Sequence, residues 1–150
     1  MWTEPKVNWK PTDYYNIEDW KRVRSNLEHI WSWIIINRLP SHTLLETDTG
    51  RERNELPYVH LVNNMEQNLA QLQSAFGVDF TENVAQKTWY SRLDTLYTSN
   101  PDYTDWNRWE TILKRVYESI QYIDTYIFST ISGTCYSGSD RTLIRFSRGR

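Results

Sequence analysis

The chain has 150 residues and a mass of 18.1 kDa, which is enough for one domain and too little for two comfortable ones. Seventeen basic residues against nineteen acidic ones leave a formal net charge of -2, so no overall positive field draws it to nucleic acid or an anionic membrane. Cys135 is the only cysteine, which excludes an internal disulfide and a multi-cysteine metal site. Without a signal peptide or an apolar stretch of roughly 20 residues, we expect a cytosolic, soluble and reduced product.

Residues 1–15 precede the first periodic segment and are predicted to form an extended arm, since they contain prolines and spaced aromatic residues. Apolar residues then recur at spacings of three and four, the pattern of a packing helix. This first seam consists of Trp20, Val23, Leu27, Ile30 and Ile34. Pro40 ends the helix, and a polar loop follows over residues 40–53.

A second helix is predicted to start near Pro57 and to end at Gly77, where a left-handed cap is needed. Its seam consists of Tyr58, Val62, Met65, Leu69, Leu72 and Phe76. The opposite face is polar but almost uncharged, with Asn63, Asn64, Gln67, Asn68, Gln71 and Gln73. That face is either solvated or paired with a neighbouring subunit.

Residues 78–101 are predicted to be irregular, with a short helix after Thr81. The third helix follows them, has the longest seam and should end near Gly133. Its seam consists of Trp106, Trp109, Leu113, Val116, Ile120, Ile123 and Ile127. The first two tryptophans should plug one end of a bundle. Residues 134–150 read as a tail or a short β-hairpin. The sequence therefore predicts a mostly α-helical single domain over 1–150, with a three-helix bundle over 16–133.

An internal repeat relates the first and third helices. "NIEDWKRVRSNLEHIWSWI" at 16–34 aligns without gaps with "DYTDWNRWETILKRVYESI" at 102–120, with five identities and the apolar seam in phase. Trp9 and Trp89 each precede one copy. Two such copies would form a helical hairpin with pseudo-twofold character, with the second helix beside it. The alternative is convergence of two capped helices.

Helix capping explains the matched positions at the start of each copy. Asn16 and Asp102 suit the N-cap position, where a side-chain oxygen accepts from free backbone amides. Asp19 and Asp105, three residues on, complete a capping-box variant.

The aromatic and basic residues next to these caps are predicted to be structural. Trp20 and Trp106 would pack as buried staples against Tyr15 and Pro101. Two arginines of the repeat, Arg22 and Arg108, would stack on aromatic rings or pair with an acid.

Catalytic and metal-binding motifs are weak in this sequence. Capping accounts for the two aspartates of the repeat, and Glu18 and Glu110 fall off the apolar seam, so a catalytic carboxylate pair is not predicted. His29, His42 and His60 lack the spacing of a zinc site. Neither a glycine-rich phosphate loop nor a nucleophile motif around Cys135 is present. We expect no enzyme activity and no cofactor.

Two binding hypotheses remain open. Arg141, Arg145, Arg148 and Arg150 form a basic tail that could contact the phosphates of DNA, although such a tail is more often a solvated end. The aromatic residues of the arm could stack on sugars, dock on a neighbour or fold back on their own chain. The candidate interface residues are Trp2, Trp9, Tyr14, Tyr15, Ile144 and Phe146.

Three stretches carry a family resemblance: "DWNRWE" at 105–110, "KTW" at 87–89, and the opening "WTEPKVNWKPTDYYN" at 2–16 with the "DWKR" that follows. Together they resemble segments of small virion structural proteins of tailed phages and prophages of Gram-positive bacteria. The resemblance covers about a fifth of the chain. The first copy of the repeat departs from the family pattern at Lys21 and Val23, where the second copy has Asn107 and Trp109.

The resemblance implies a non-enzymatic part of the tail or baseplate of a virion, present in several copies and held by other virion proteins. A carbohydrate or host-surface recognition module of the same particle is the alternative, and a DNA-contacting head or neck protein is a further one. Neither a membrane nor a cofactor is implied.

Overall fold

The computed structural model describes residues 1–37, 43–48, 57–76, 86–95 and 100–128. It contains helix α1 (Ile17–Ile36), helix α2 (Val59–Phe76) and helix α3 (Tyr103–Tyr122), which continues as a π-helical segment over Ile123–Phe128. These described ranges contain no strand. The prediction of a mostly helical, three-helix bundle is confirmed. The predicted hairpin, with Cys135, the arginine tail, Ile144 and Phe146, lies outside the described residues, as does the short helix after Thr81.

Capping boxes begin both α1 and α3. The Asn16 side chain accepts from the backbone N–H groups of Glu18 and Asp19, and the Asp19 carboxylate accepts from the backbone N–H of Asn16 at 3.0 Å. Asp102 and Asp105 form the same reciprocal pair at α3.

The charge of the α3 cap is stabilised by its hydrogen bonds. Burial by itself would raise the pKa of Asp102, but hydrogen bonds from the Thr104 hydroxyl and amide and from the Asp105 amide lower it below its ordinary value. The carboxylate therefore stays ionised at the positive end of the helix dipole.

One hydrophobic core joins the three helices. Trp20 and Trp106 are both buried, with 1% and 2% of their surfaces exposed, and their rings lie 6.4 Å apart at 83°. Further core residues are Val23, Leu27, Ile30 and Ile34 of α1, Val62, Met65, Leu69 and Leu72 of α2, and Trp109, Leu113, Val116 and Ile120 of α3. The helical periodicity placed all of these residues in the predicted seams, but it was wrong for Tyr58, which precedes α2 and is 52% exposed.

All three helices run in the same direction. At one end the rings of Trp20 in α1 and Trp109 in α3 lie 6.0 Å apart, and Val59 of α2 lines a cavity together with both tryptophans. At the other end the Trp33 indole donates to Asp124 at 3.1 Å, and its ring lies 6.2 Å from Phe76. The expected helical hairpin is therefore wrong, because α1 and α3 are parallel.

The repeat includes α2 and is threefold. The helices begin at Ile17, Val59 and Tyr103, so their starts are 42 and 44 residues apart. With these offsets every layer of the core receives one residue from each helix. The layers are Trp20 with Val62 and Trp106, Val23 with Met65 and Trp109, Leu27 with Leu69 and Leu113, Ile30 with Leu72 and Val116, and Ile34 with Phe76 and Ile120.

Each parallel helix is preceded by an extended segment that runs the opposite way along the bundle. Residues 1–9 lie between α1 and α3, residues 43–48 between α1 and α2, and residues 86–90 between α2 and α3. Within the first segment, Thr3 contacts the middle of α1, and Trp9 contacts the start of α3. The repeating unit is therefore an extended segment followed by a helix.

Spin labels test the parallel arrangement directly, on a Cys135→Ser background that removes the only native cysteine. Cysteines replace exposed residues near the helix starts, Glu18 and Thr104, and near the helix ends, Ser32 and Gln121. We expect double electron–electron resonance to give short distances between the two labels of the pairs 18/104 and 32/121. The pair 18/121 should be longer, with an axial separation of roughly 25 Å. Antiparallel helices would give the reverse order.

Candidate functional site

Four asparagine side chains bind the backbone of the extended segments. In each case the amide oxygen accepts from the N–H of one residue, and the amide nitrogen donates to the C=O of that same residue. The pairs are Asn26 with Thr3, Asn107 with Trp9, Asn68 with Leu45, and Asn63 with Trp89. The distances lie between 2.7 and 3.0 Å. An extended residue bound in this way has both backbone groups satisfied without a β-sheet partner.

The first tryptophan clamp holds the N-terminal arm on α3. Glu110 is fully buried, and its carboxylate accepts from the Trp9 indole at 3.1 Å and from the Lys6 amide at 2.7 Å. The Arg22 guanidinium donates to both oxygens of the same carboxylate, at 2.6 and 3.2 Å. The Lys6 ammonium lies 3.8 Å from the centre of the Trp9 ring. One carboxylate therefore joins the arm, α1 and α3.

The second tryptophan clamp repeats this arrangement on α2. Glu66 has 1% of its surface exposed, and its carboxylate accepts from the Trp89 indole at 3.4 Å and from the Lys87 amide at 3.3 Å. Arg108 of α3 donates to both of its oxygens, and the Trp109 indole adds a further bond at 2.8 Å. The Lys87 ammonium lies 5.7 Å from the Trp89 ring. This clamp joins residues 86–90, α2 and α3.

The arginines of both clamps are charge-paired twice. Arg22 also binds Asp19 at 2.8 Å, and Arg108 lies 3.5 Å from Asp105, so each guanidinium links a cap to a clamp. Burial by itself would lower the pKa of Arg22, but hydrogen bonds and charges from Glu110 and Asp19 outweigh it and raise the pKa. Both arginines therefore pair with acids, and Arg22 also takes the second role that the sequence allowed, since its guanidinium lies 5.8 Å from the centre of the Trp9 ring.

Sequence reasoning missed the carboxylates and the asparagines of the clamps. Glu110 lies off the apolar seam, as the pattern indicated, yet it is buried because the arm covers that face of α3. Both clamps share an Asn-x-x-Glu spacing, at Asn107 with Glu110 and at Asn63 with Glu66. That spacing was the available signal. On the polar face of α2, for which water or a neighbouring subunit was proposed, the asparagines bind the chain's own extended segments, whereas Gln67 is exposed.

Among the described residues, the groove between α1 and α2 has no clamp of this kind. By the helix offsets, Lys21 and Arg24 occupy in α1 the positions that Asn107 and Glu110 occupy in α3. Arg24 binds Asp48 of the segment at 2.9 Å, and Trp20 donates to the Thr47 carbonyl at 3.0 Å. The segment 43–48 is therefore held by different side chains.

The arm folds back on its own chain, and its candidate interface residues differ in exposure. Trp9 is buried, with 4% exposed, and Trp2 stacks on Tyr117 at 3.8 Å. The Tyr15 hydroxyl donates to the Pro101 carbonyl, and its ring lies 5.1 Å from Trp106. Tyr15 therefore packs against the tryptophan at the start of α3, whereas the predicted staple was with the one at the start of α1. Only Tyr14 in this group projects outward, with 96% exposed.

A search of the described residues for three or more metal-ligating side chains in one place finds none. None of the described helices has the length and apolar character needed to cross a membrane. The chain matches no protein-family model, no curated protein and no solved structure. Functional inference therefore depends on the geometry and on the resemblance.

We expect Glu110→Gln and Glu66→Gln each to lower the free energy of unfolding by about 3 kcal/mol, because the change removes the buried charge that an arginine pairs with and leaves that arginine only its second acidic partner, Asp19 or Asp105. This value is at the low end of the usual range, since the Arg22 side chain keeps 20% of its surface exposed. Urea denaturation followed by tryptophan fluorescence measures the change. Glu118→Gln, on the exposed face of α3, is the matched control and should change stability by less than about 0.5 kcal/mol. Equal effects at buried and exposed positions would contradict the clamp assignment.

Proposed function

We propose that the chain is a non-enzymatic structural or adaptor subunit of a phage virion, in the tail or baseplate region, acting through protein–protein contacts. One observation carries the proposal: the motif residues behind the resemblance are occupied in holding the fold together. In "DWNRWE", Asp105 caps α3, Asn107 and Glu110 bind the arm, and Arg108 and Trp109 bind Glu66.

The other stretches of the resemblance take part in the same contacts. The opening segment supplies Trp9 and Lys6 to the first clamp, and "KTW" supplies Lys87 and Trp89 to the second. A motif that formed an active site would present several polar groups to a substrate, whereas the polar side chains of "DWNRWE" are engaged in intramolecular bonds except at the Trp106 N–H and the Arg108 Nε. Because these residues hold the segments and helices of the chain together, they support a structural role for the protein.

Large apolar side chains on the outside supply surface for contacts with other virion proteins. Leu93 is 97% exposed, Tyr14 is 96% exposed, and Ile36 is 72% exposed. Tyr14 and Leu93 belong to the connections that precede helices, whereas Ile36 ends α1. In a subunit present in several copies, such residues become buried on assembly.

The alternatives receive less support from the described residues. Sugar stacking needs open aromatic faces, and Tyr14 is the one fully open ring among the arm's candidates, since Trp9 is enclosed and Trp2 has one face against Tyr117. The DNA-contacting role depends on Arg141, Arg145, Arg148 and Arg150, which lie outside the described residues. Neither alternative gains a specific observation.

The proposal is tested in the bacterium that carries the gene, after phage induction, with a tagged copy of the protein. We expect the protein to sediment with purified particles in a density gradient, in several copies per particle by quantitative mass spectrometry. Replacement of the exposed apolar residues, in a Tyr14→Ala and Leu93→Ala double variant, should reduce incorporation at least severalfold, while Glu118→Ala should not. Particles that form fully without the protein, which remains in the soluble fraction, would refute a virion role.

A further inference from the structure

A cavity of about 210 Å³ lies at the end of the bundle where the three helices begin. Its walls are mostly aromatic, and include Tyr15, Trp20, Trp89, Trp106 and Trp109, together with Val62. An apolar cavity of about 150 Å³ is large enough to bind benzene. The space at the bundle end is therefore sufficient for a larger aromatic side chain.

The threefold repeat explains why the cavity lies where it does. Trp20, Val62 and Trp106 form one layer, so two of its three equivalent positions carry indoles and the third carries a valine. Because valine is much smaller than tryptophan, the α2 position leaves space beside the other two rings. The cavity thus corresponds to the third aromatic group that the repeat lacks.

Within the part of the chain that the structure describes, the indole N–H of Trp106 is buried without a hydrogen-bond acceptor. Its counterpart in the repeat, the N–H of Trp20, donates to the Thr47 carbonyl of an extended segment. The rings around Trp106 belong to Trp9, Tyr15, Trp20 and Trp109, which lie 5.1 to 6.4 Å away. The indole N–H groups of the neighbouring tryptophans can only donate, and the Tyr15 hydroxyl is bound to the Pro101 carbonyl. Among the described residues, the cavity that Trp106 lines is therefore the side left open to an acceptor.

We propose that this cavity binds an aromatic side chain from an extended segment of a partner protein, with a carbonyl of that segment accepting from the Trp106 indole. The chain's own segments show the required chemistry, because Trp9 and Trp89 insert indoles between helices and Thr47 supplies a carbonyl to Trp20. A peptide offers both groups together. This inference goes beyond the virion assignment and does not depend on it.

The edge of the cavity suits the entry of a peptide. Asn100 lines it and is exposed, and Pro57, Val59 and Tyr90, which also line it, are partly exposed. A partner chain that approaches the bundle end therefore meets an apolar rim with a polar amide before it reaches the enclosed rings. This arrangement favours an aromatic anchor on a backbone that stays near the surface.

N-acetyl-tryptophanamide serves as the probe, since it combines an indole with two carbonyl acceptors. The protein is labelled with ¹⁵N, its indole N–H signals are assigned, and the probe is titrated by nuclear magnetic resonance. We expect the Trp106 N–H signal to move downfield and saturate. No movement up to the solubility limit of the probe would overturn the proposal. A Trp106 N–H signal that is already downfield and slow to exchange in the free protein, with no response to the probe, would show that the chain fills the space itself.

Variants separate the cavity from nonspecific binding of the probe. Val62→Trp supplies the missing indole from within and should abolish the binding. Trp106→Phe keeps the ring but removes the donor, so it should weaken binding three- to tenfold, as expected for the loss of one neutral hydrogen bond. The matched control is Trp33→Phe, which removes an indole N–H at the opposite end of the bundle.

Circular dichroism establishes which variants fold. If Val62→Trp does not fold, the comparison of Trp106→Phe with Trp33→Phe decides the question alone. Unchanged affinity in Trp106→Phe, or equal losses in the two phenylalanine variants, would contradict the proposed contact. Retained binding in a folded Val62→Trp variant would place the probe outside the cavity and would also overturn the proposal.

Discussion

Two carboxylates buried between helices, those of Glu66 and Glu110, are the interactions on which the arrangement of this protein depends. A carboxylate removed from water must be matched by donors or a counter-charge, because an uncompensated buried charge is strongly destabilising. Each of these two receives an arginine, an indole N–H and a backbone amide. The donors come from different parts of the chain, so the pairing favours one arrangement of helices and segments over others.

Parallel helices within one chain impose a topological requirement that the clamps meet. After each helix ends, the chain must return along the whole bundle before the next helix can start in the same direction. The described parts of these returns, residues 43–48 and 86–90, are extended and fill grooves between helices, as does the N-terminal arm. Because an extended segment leaves its backbone groups unpaired, the asparagine side chains on the helices satisfy them.

This construction also bears on what the protein can offer to others. A bundle whose grooves accept extended segments through indoles and amide side chains has the physical means to accept a segment from another chain. The asymmetry of the tryptophan layer, with Val62 in place of an indole, leaves one such place at the end of the bundle. The proposed role in an assembly and the proposed peptide site thus derive from the same chemistry, although each can fail separately.

Local features of the fold could be predicted from the sequence, and long-range ones could not. The seams and the caps at Asn16 and Asp102 were accessible because 3.6-residue periodicity and capping act within a few positions. The burial of Glu110 depends on an arm about a hundred residues away, so the residues around it could not show which group would cover it. The direction of the helices was missed for a related reason. Because α2 lacks the cap and the tryptophan that identify the other two copies, the sequence showed only two copies, and two copies suggested a helical hairpin. The spacing Asn-x-x-Glu was visible twice but has meaning only once its partners are known.

A double-mutant cycle between Trp9→Phe and Glu110→Gln measures the clamp most directly, because the two residues lie far apart in sequence and meet only through the fold. Free energies of unfolding of the four proteins give the coupling energy. We expect a coupling energy of about 1.5 kcal/mol or more, as for a hydrogen bond to a charged group, while a control cycle of Trp33→Phe with Glu110→Gln should be additive. Additivity within about 0.5 kcal/mol for Trp9 and Glu110 as well would contradict that expectation.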